Sequence, residues 1–193
     1  MRFAAALLLT VFLSSSIAVA APPNTSLNKK LLKLLEAYPS VVEEIVPRPT
    51  NLRDLDGKAI LDLRIKAQHG EPNSLLRLGT LCLYSIVQEQ TCRPASWLQM
   101  FRSAAGKGLV QVQVMLAKLF EFGSIQESGD IAGQYLEEAY YWYSQATFAG
   151  DQRAQKDRER LANRMPLKQR ASLDALIEER RRNPPHATTV HLK

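Results

Sequence analysis

Three helix-ending glycines constrain this chain more than any other feature. Lys66-Ala67-Gln68-His69-Gly70, Ala104-Ala105-Gly106-Lys107-Gly108 and Ala146-Thr147-Phe148-Ala149-Gly150 close in the same way, at intervals of 38 and 42 residues. A near-constant interval of that size predicts an array of stacked helix pairs, in which each unit buries its apolar stripe only against a neighbour. Aligned on the glycines, Trp97, Met100 and Phe101 fall level with Ala139, Trp142 and Tyr143. After the first two glycines, Leu78-Gly79-Thr80-Leu81 falls level with Leu116-Ala117-Lys118-Leu119. Bulky and small side chains at three-four spacing, with a turn residue after the last turn, describe a helix that cannot stand alone.

This phased pattern resembles the Sel1-like repeats, relatives of the tetratricopeptide repeat, whose motif runs roughly A-x-x-W-Y-x-x-A-A-x-x-G and then A-x-x-x-L-G-x-x-Y with a further Gly. The chain carries it as Ala139, Trp142, Tyr143, Ala146 and Gly150, as Leu78 and Gly79, and as Leu116, Ala117, Phe120 and Gly123. Ala117 stands where the motif has Gly and Thr147 where it has Ala; after Gly150 only Ala154, Gln155 and Leu161 keep the pattern. The resemblance covers residues 57–182 and implies an all-α fold, a right-handed α-solenoid of antiparallel helix pairs with atypical capping helices at both ends.

Residues 1–20 read as a secretory signal: Arg2, an apolar run, and Ala18-Val19-Ala20 before Ala21. The apolar stretch is short for a membrane span of about 20 residues. Residues 21–56 form an N-terminal cap and linker. Leu27, Leu31, Leu32, Leu34 and Leu35 against Lys29, Lys30 and Lys33 make an amphipathic helix over 27–37, expected either to pack on the first unit or to touch an anionic surface. A short helical turn over 41–46 and the Pro47-Arg48-Pro49 loop follow.

The first, incomplete unit is a helix over 56–68 with Ile60, Leu63 and Ala67 inward. A full unit spans 72–106, with an irregular connection near 85–94, and a second spans 109–149, with Val112, Leu116, Leu119 and Phe120 on one face. Residues 123–133 contain Gly123, Gly129 and Gly133 among polar residues and read as a long connection, a recognition element or a tolerated insertion. A charged helix follows Asp151. The last helix, over 167–182, carries Leu173, Leu176 and Ile177 inward, and 183–193 reads as a disordered tail.

Cys82 and Cys92 are the chain's two cysteines. In an exported chain an even pair reads as a disulfide, with two separate buried thiols as the alternative. The net charge of +6 is spread over several helices, and the aromatics fall in the repeat core, so the chain lacks the stacking platform of a nucleic-acid binder. Contact with peptidoglycan or another anionic envelope surface stays open.

Catalytic signatures are missing from the sequence. His69 has only Ser74 near it in the chain, while His186 and His191 fall in the tail. There is no G-x-S-x-G, no H-E-x-x-H and no glycine-rich phosphate loop. Glu43-Glu44 and Glu137-Glu138 diverge by about 100° on their helices and read as solvated faces. No enzymatic activity, cofactor or metal is expected. The resemblance implies a periplasmic protein–protein interaction module, an adaptor or scaffold of an envelope assembly, or an immunity protein that neutralises a toxin. Cysteine-rich relatives linked to β-lactam binding or hydrolysis carry a pair in each repeat, and this chain has one pair.

Overall fold

The computed structural model describes residues 25–87, 92–93 and 96–183. The expected signal segment, the tail beyond Asn183, and with it His186 and His191, lie outside the described residues. Among these residues the chain is all-helical: α1 (Thr25–Glu36), α2 (Pro39–Ile45), α3 (Gly57–Gln68), α4 (Pro72–Leu83), α5 (Ser96–Gly106), α6 (Val110–Gln126), α7 (Gly129–Phe148), α8 (Gln152–Ala162) and α9 (Leu167–Arg182). None of these helices is long and apolar enough to cross a membrane.

The three phased glycines make one and the same turn. Gly70, Gly108 and Gly150 have φ of 78°, 88° and 93°, the left-handed region where a side chain is strained. In each case the next residue's N–H reaches back five residues: Glu71 to the Lys66 carbonyl at 3.0 Å, Leu109 to Ala104 at 3.1 Å and Asp151 to Ala146 at 3.0 Å. This satisfies carbonyls that the helix end would otherwise leave open. At two of the turns the following acid also starts the next helix. The Glu71 carboxylate accepts from the Asn73 and Ser74 amides at the head of α4, and Asp151 accepts from the Arg153 and Ala154 amides at the head of α8. Helix end and helix start are thus joined by three residues, which brings consecutive helices side by side.

The aligned positions become the core. Leu63, Phe101 and Tyr143 are buried, as are Met100 with Trp142 and Leu81 with Leu119 and Leu161. Leu78, Leu116 and Ala117 are also fully buried. From α3 to α8 each helix packs chiefly on its neighbours in sequence, and α9 returns onto α7.

Several expectations are corrected. The stretch 123–133 is not a long connection, because α6 runs on to Gln126 and α7 begins at Gly129, leaving only Glu127 and Ser128 between them. Gly123 serves close approach: a Cβ there would lie 2.9 Å from Cδ2 of Tyr135 on α7. Gly79 does the same for α5, where a Cβ would lie 2.9 Å from Cε1 of Phe101. The role read as a turn signal at Gly123 falls instead to Ser85, the equivalent residue one unit earlier. Ser85 has φ 52°, and the Ile86 N–H bonds to the Leu81 carbonyl. In α9 only Ile177 is buried, Leu173 being half-buried and Leu176 exposed. Finally, α1 and α2 find their main partners in α6 and α7, not in the first unit's α3.

Candidate interaction surface

Cys82, at the end of α4, and Cys92 form a disulfide with their Cα atoms 5.0 Å apart. The adjoining Tyr84 fastens the N-terminal segment: its hydroxyl donates to the Val46 carbonyl, and the Arg48 guanidinium lies 4.8 Å over its ring. Burial raises the Tyr84 hydroxyl's pKa, aided by the Glu43 charge, so the phenol stays a donor. The end of α2 is thereby tied to the bridged end of α4.

The densest polar cluster joins α6, α7 and α8. Glu121 stands on the same stripe as Ala117 and Ser124 and is 8% exposed. It accepts from the Tyr143 hydroxyl at 3.0 Å and from Arg160 through both oxygens, with Arg164 3.7 Å away. Burial pushes its carboxyl up, but the hydrogen bonds from Arg160 and Tyr143 and the two positive charges outweigh that and hold it below the usual carboxylate range. Burial and the Glu121 charge in turn raise the Tyr143 phenol. The hydrogen bonds and ion pairs of this cluster join the three helices as a clasp.

A second cluster holds α9. Asp174 accepts from the Tyr140 hydroxyl at 2.8 Å and from Arg158 at 3.2 Å, and Arg158 lies over the Tyr140 ring. Gln169 donates to Glu137 at 2.6 Å, and Arg102 pairs with Glu138 at 3.2 Å. The neighbouring acids Glu137 and Glu138 do diverge, yet neither is a freely solvated face, since each is partly buried with a fixed partner. Between α7 and α9 an open groove of about 550 Å³ is floored by Leu173, Leu176 and Pro166 and rimmed by Lys168.

The third feature is the face on which α1 lies. Arg102 stacks over Phe120 at 4.9 Å and donates to Asn28 Oδ1 at 3.2 Å. Tyr135, fully buried, donates to the Leu27 carbonyl at 3.3 Å, and burial pushes its phenol up to about 12. Both donors belong to the helix pairs and both acceptors to α1.

His69 and Ser74, the histidine and the one hydroxyl near it in the sequence, are not brought together. His69 is exposed at the end of α3, and Ser74 is buried in the first turn of α4; among the described residues no hydrogen bond joins them. No group of three or more metal-ligating side chains gathers among the described residues. Of the repeat positions, Gly70, Gly108 and Gly150 lie in the turns, and Leu78, Gly79, Leu116, Ala117, Gly123, Ala139, Trp142, Tyr143 and Ala146 lie on the buried faces of the helices. The Glu121 clasp was missed by sequence reasoning. Its signal was a charged residue four positions after Ala117, on a stripe that is otherwise small and apolar. No family model matches the chain, and neither do any curated proteins or solved structures.

Proposed function

We propose that the chain is a non-enzymatic protein-binding module, built as a right-handed solenoid of Sel1-like helix pairs and exported to the periplasm as an adaptor of an envelope assembly. The observation that carries this is the identity of the three glycine turns at 38- and 42-residue intervals, with the same backbone bond closing each. Repetition of one hairpin lays down a continuous seam, and the side chains outside the seam are free to serve recognition. The disulfide supports export, because such bonds persist in oxidising compartments. The acidic and basic groups of the two polar clusters, Glu121, Arg160, Tyr143, Asp174 and Arg158, hold helices to one another, which supports contact as the work of the surface.

Crosslinking in intact cells followed by affinity capture and mass spectrometry tests the reading. The expected result is a processed chain that begins near Ala21 and a small set of envelope proteins crosslinked to it. A chain retained in the cytoplasm with its first twenty residues intact, or capture of cell-wall fragments without any protein, contradicts it.

A further inference from the structure

The lysine side of α1 stays open to water after the leucine side has been used. Leu27, Leu31 and Leu35 are exposed by 4% or less, so α1 is fixed in the core and keeps no leucine face for insertion elsewhere. Lys29, Lys30 and Lys33 project from its opposite side and are exposed. Among the described residues none of the three takes part in an ion pair.

The end of α1 leads into an exposed apolar cluster. Tyr38 continues its last turn, with its N–H bonded to the Leu35 carbonyl at 3.1 Å, and its ring packs edge-on against Phe122 at 5.1 Å. Phe122 shares one stripe of α6 with Lys118 and Ile125, at four- and three-residue spacing. Lys118 is exposed, and Tyr38 and Ile125 are 38% and 60% exposed. Lysines of α1 and α6 therefore flank an aromatic and an aliphatic side chain that water meets directly. The acids nearest in the chain are Glu36 and the α2 residues Glu43 and Glu44, and Glu43 is drawn to Arg48 at 4.0 Å.

Lysines beside an exposed tyrosine and isoleucine match the chemistry of a membrane–water interface. Ammonium groups attract anionic headgroups, while amphipathic and apolar side chains settle at headgroup depth. A soluble polyanion would engage the lysines and leave Ile125 in water. We propose that the face formed by Lys29, Lys30, Lys33, Tyr38, Lys118 and Ile125 rests on an anionic lipid bilayer and holds the folded chain at the membrane surface. In this contact α1 stays packed, with its leucines still in the core. The proposal goes beyond the protein-binding reading and does not depend on it.

The test is co-sedimentation of the full processed chain with vesicles of phosphatidylcholine, either alone or with phosphatidylglycerol at about one lipid in three. Binding is expected on the mixed vesicles and not on phosphatidylcholine, and it should fall as salt rises. Lys29→Gln, Lys30→Gln and Lys33→Gln together are expected to weaken it by about a hundredfold, at about fivefold per lysine. Lys29→Arg, Lys30→Arg and Lys33→Arg together should retain it. Ile125→Ser is expected to weaken binding by about tenfold without changing its salt dependence.

A second measurement needs no variant. Acetylation of the wild type, read by mass spectrometry, should slow at Lys29, Lys30 and Lys33 when mixed vesicles are present, and should not slow at Lys156, exposed on α8. Equal binding to both vesicle types, no binding to either, or equal protection of all four lysines overturns the proposal. So does a folded glutamine triple variant, or a folded Ile125→Ser chain, that binds like the wild type. Binding to purified cell-wall sacculi in place of vesicles also overturns it and assigns the lysines to an anionic glycan. Envelope proteins crosslinked in cells, together with no vesicle binding, would leave the protein-binding reading standing and remove this one.

Discussion

The two ends of the molecule are fastened by different physics. At the N-terminal end α1 and α2 are held by a leucine stripe, two valines and a tyrosine anchored beside a disulfide. At the C-terminal end α8 and α9 bury few apolar side chains, chiefly Ala154, Leu161 and Ile177, and are registered by charged pairs to Glu121 and Asp174. Apolar contact is non-directional and tolerates sliding or release. Charge-assisted hydrogen bonds specify one geometry and become costly when a partner is lost. The comparison teaches that the N-terminal helices are placed chiefly by apolar burial, whereas the C-terminal pair is fixed chiefly by directional charged contacts.

Reagents that act on one end should spare the other. The largest effect is expected from reducing the disulfide, whose partners are 10 residues apart in sequence; closing a loop of that size stabilises by about 2–3 kcal/mol. Reduction should lower the melting temperature and raise amide exchange in α4 and α2, with α8 and α9 unchanged. Equal loss of protection at both ends would erase the distinction.

Glu121→Gln comes next. It removes a charge that Arg160 and Tyr143 both use, at a cost of about 2 kcal/mol in urea unfolding, with faster exchange in α8 but not in α1. A loss shared evenly along the chain would break the comparison. The same carboxylate gives a pH dependence of known sign. Its folded pKa lies below its unfolded value, so the stabilisation is complete above about pH 4.3 and fades as pH falls through the lower folded value. Acid titration of the wild type should therefore open α8 before α1, and Glu121→Gln should flatten that titration.

The smallest effect is expected at the head of α8, where Asp151 caps two amides. Asp151→Ala should cost about 1 kcal/mol, seen as fraying of α8 alone. An unchanged melting curve would show that the turn at Gly150 is sufficient without the cap.

The helix-pair core was legible in the sequence because periodicity and helix ends are local. Gly70, Gly108 and Gly150 announced their turns, and the buried stripes of α5, α6 and α7 followed from three-four spacing. The α6–α7 junction was misread because Gly123, Gly129 and Gly133 look like loop composition, while the reason for Gly123 is the ring of Tyr135, twelve residues on. The docking place of α1 was not legible either. An amphipathic pattern fixes that a helix has an apolar face and is silent on which neighbour receives it. The Glu121–Arg160 clasp spans 39 residues, and its trace in the sequence was one acid on a buried stripe.

The central claim, that successive helix pairs are copies of one hairpin turned at equivalent glycines, is tested most directly by urea unfolding of Gly70→Ala, Gly108→Ala and Gly150→Ala measured side by side. All three positions have positive φ, so each alanine is expected to cost about 1–2 kcal/mol, and the three losses should agree closely. A variant among them that unfolds like the wild type would contradict the claim.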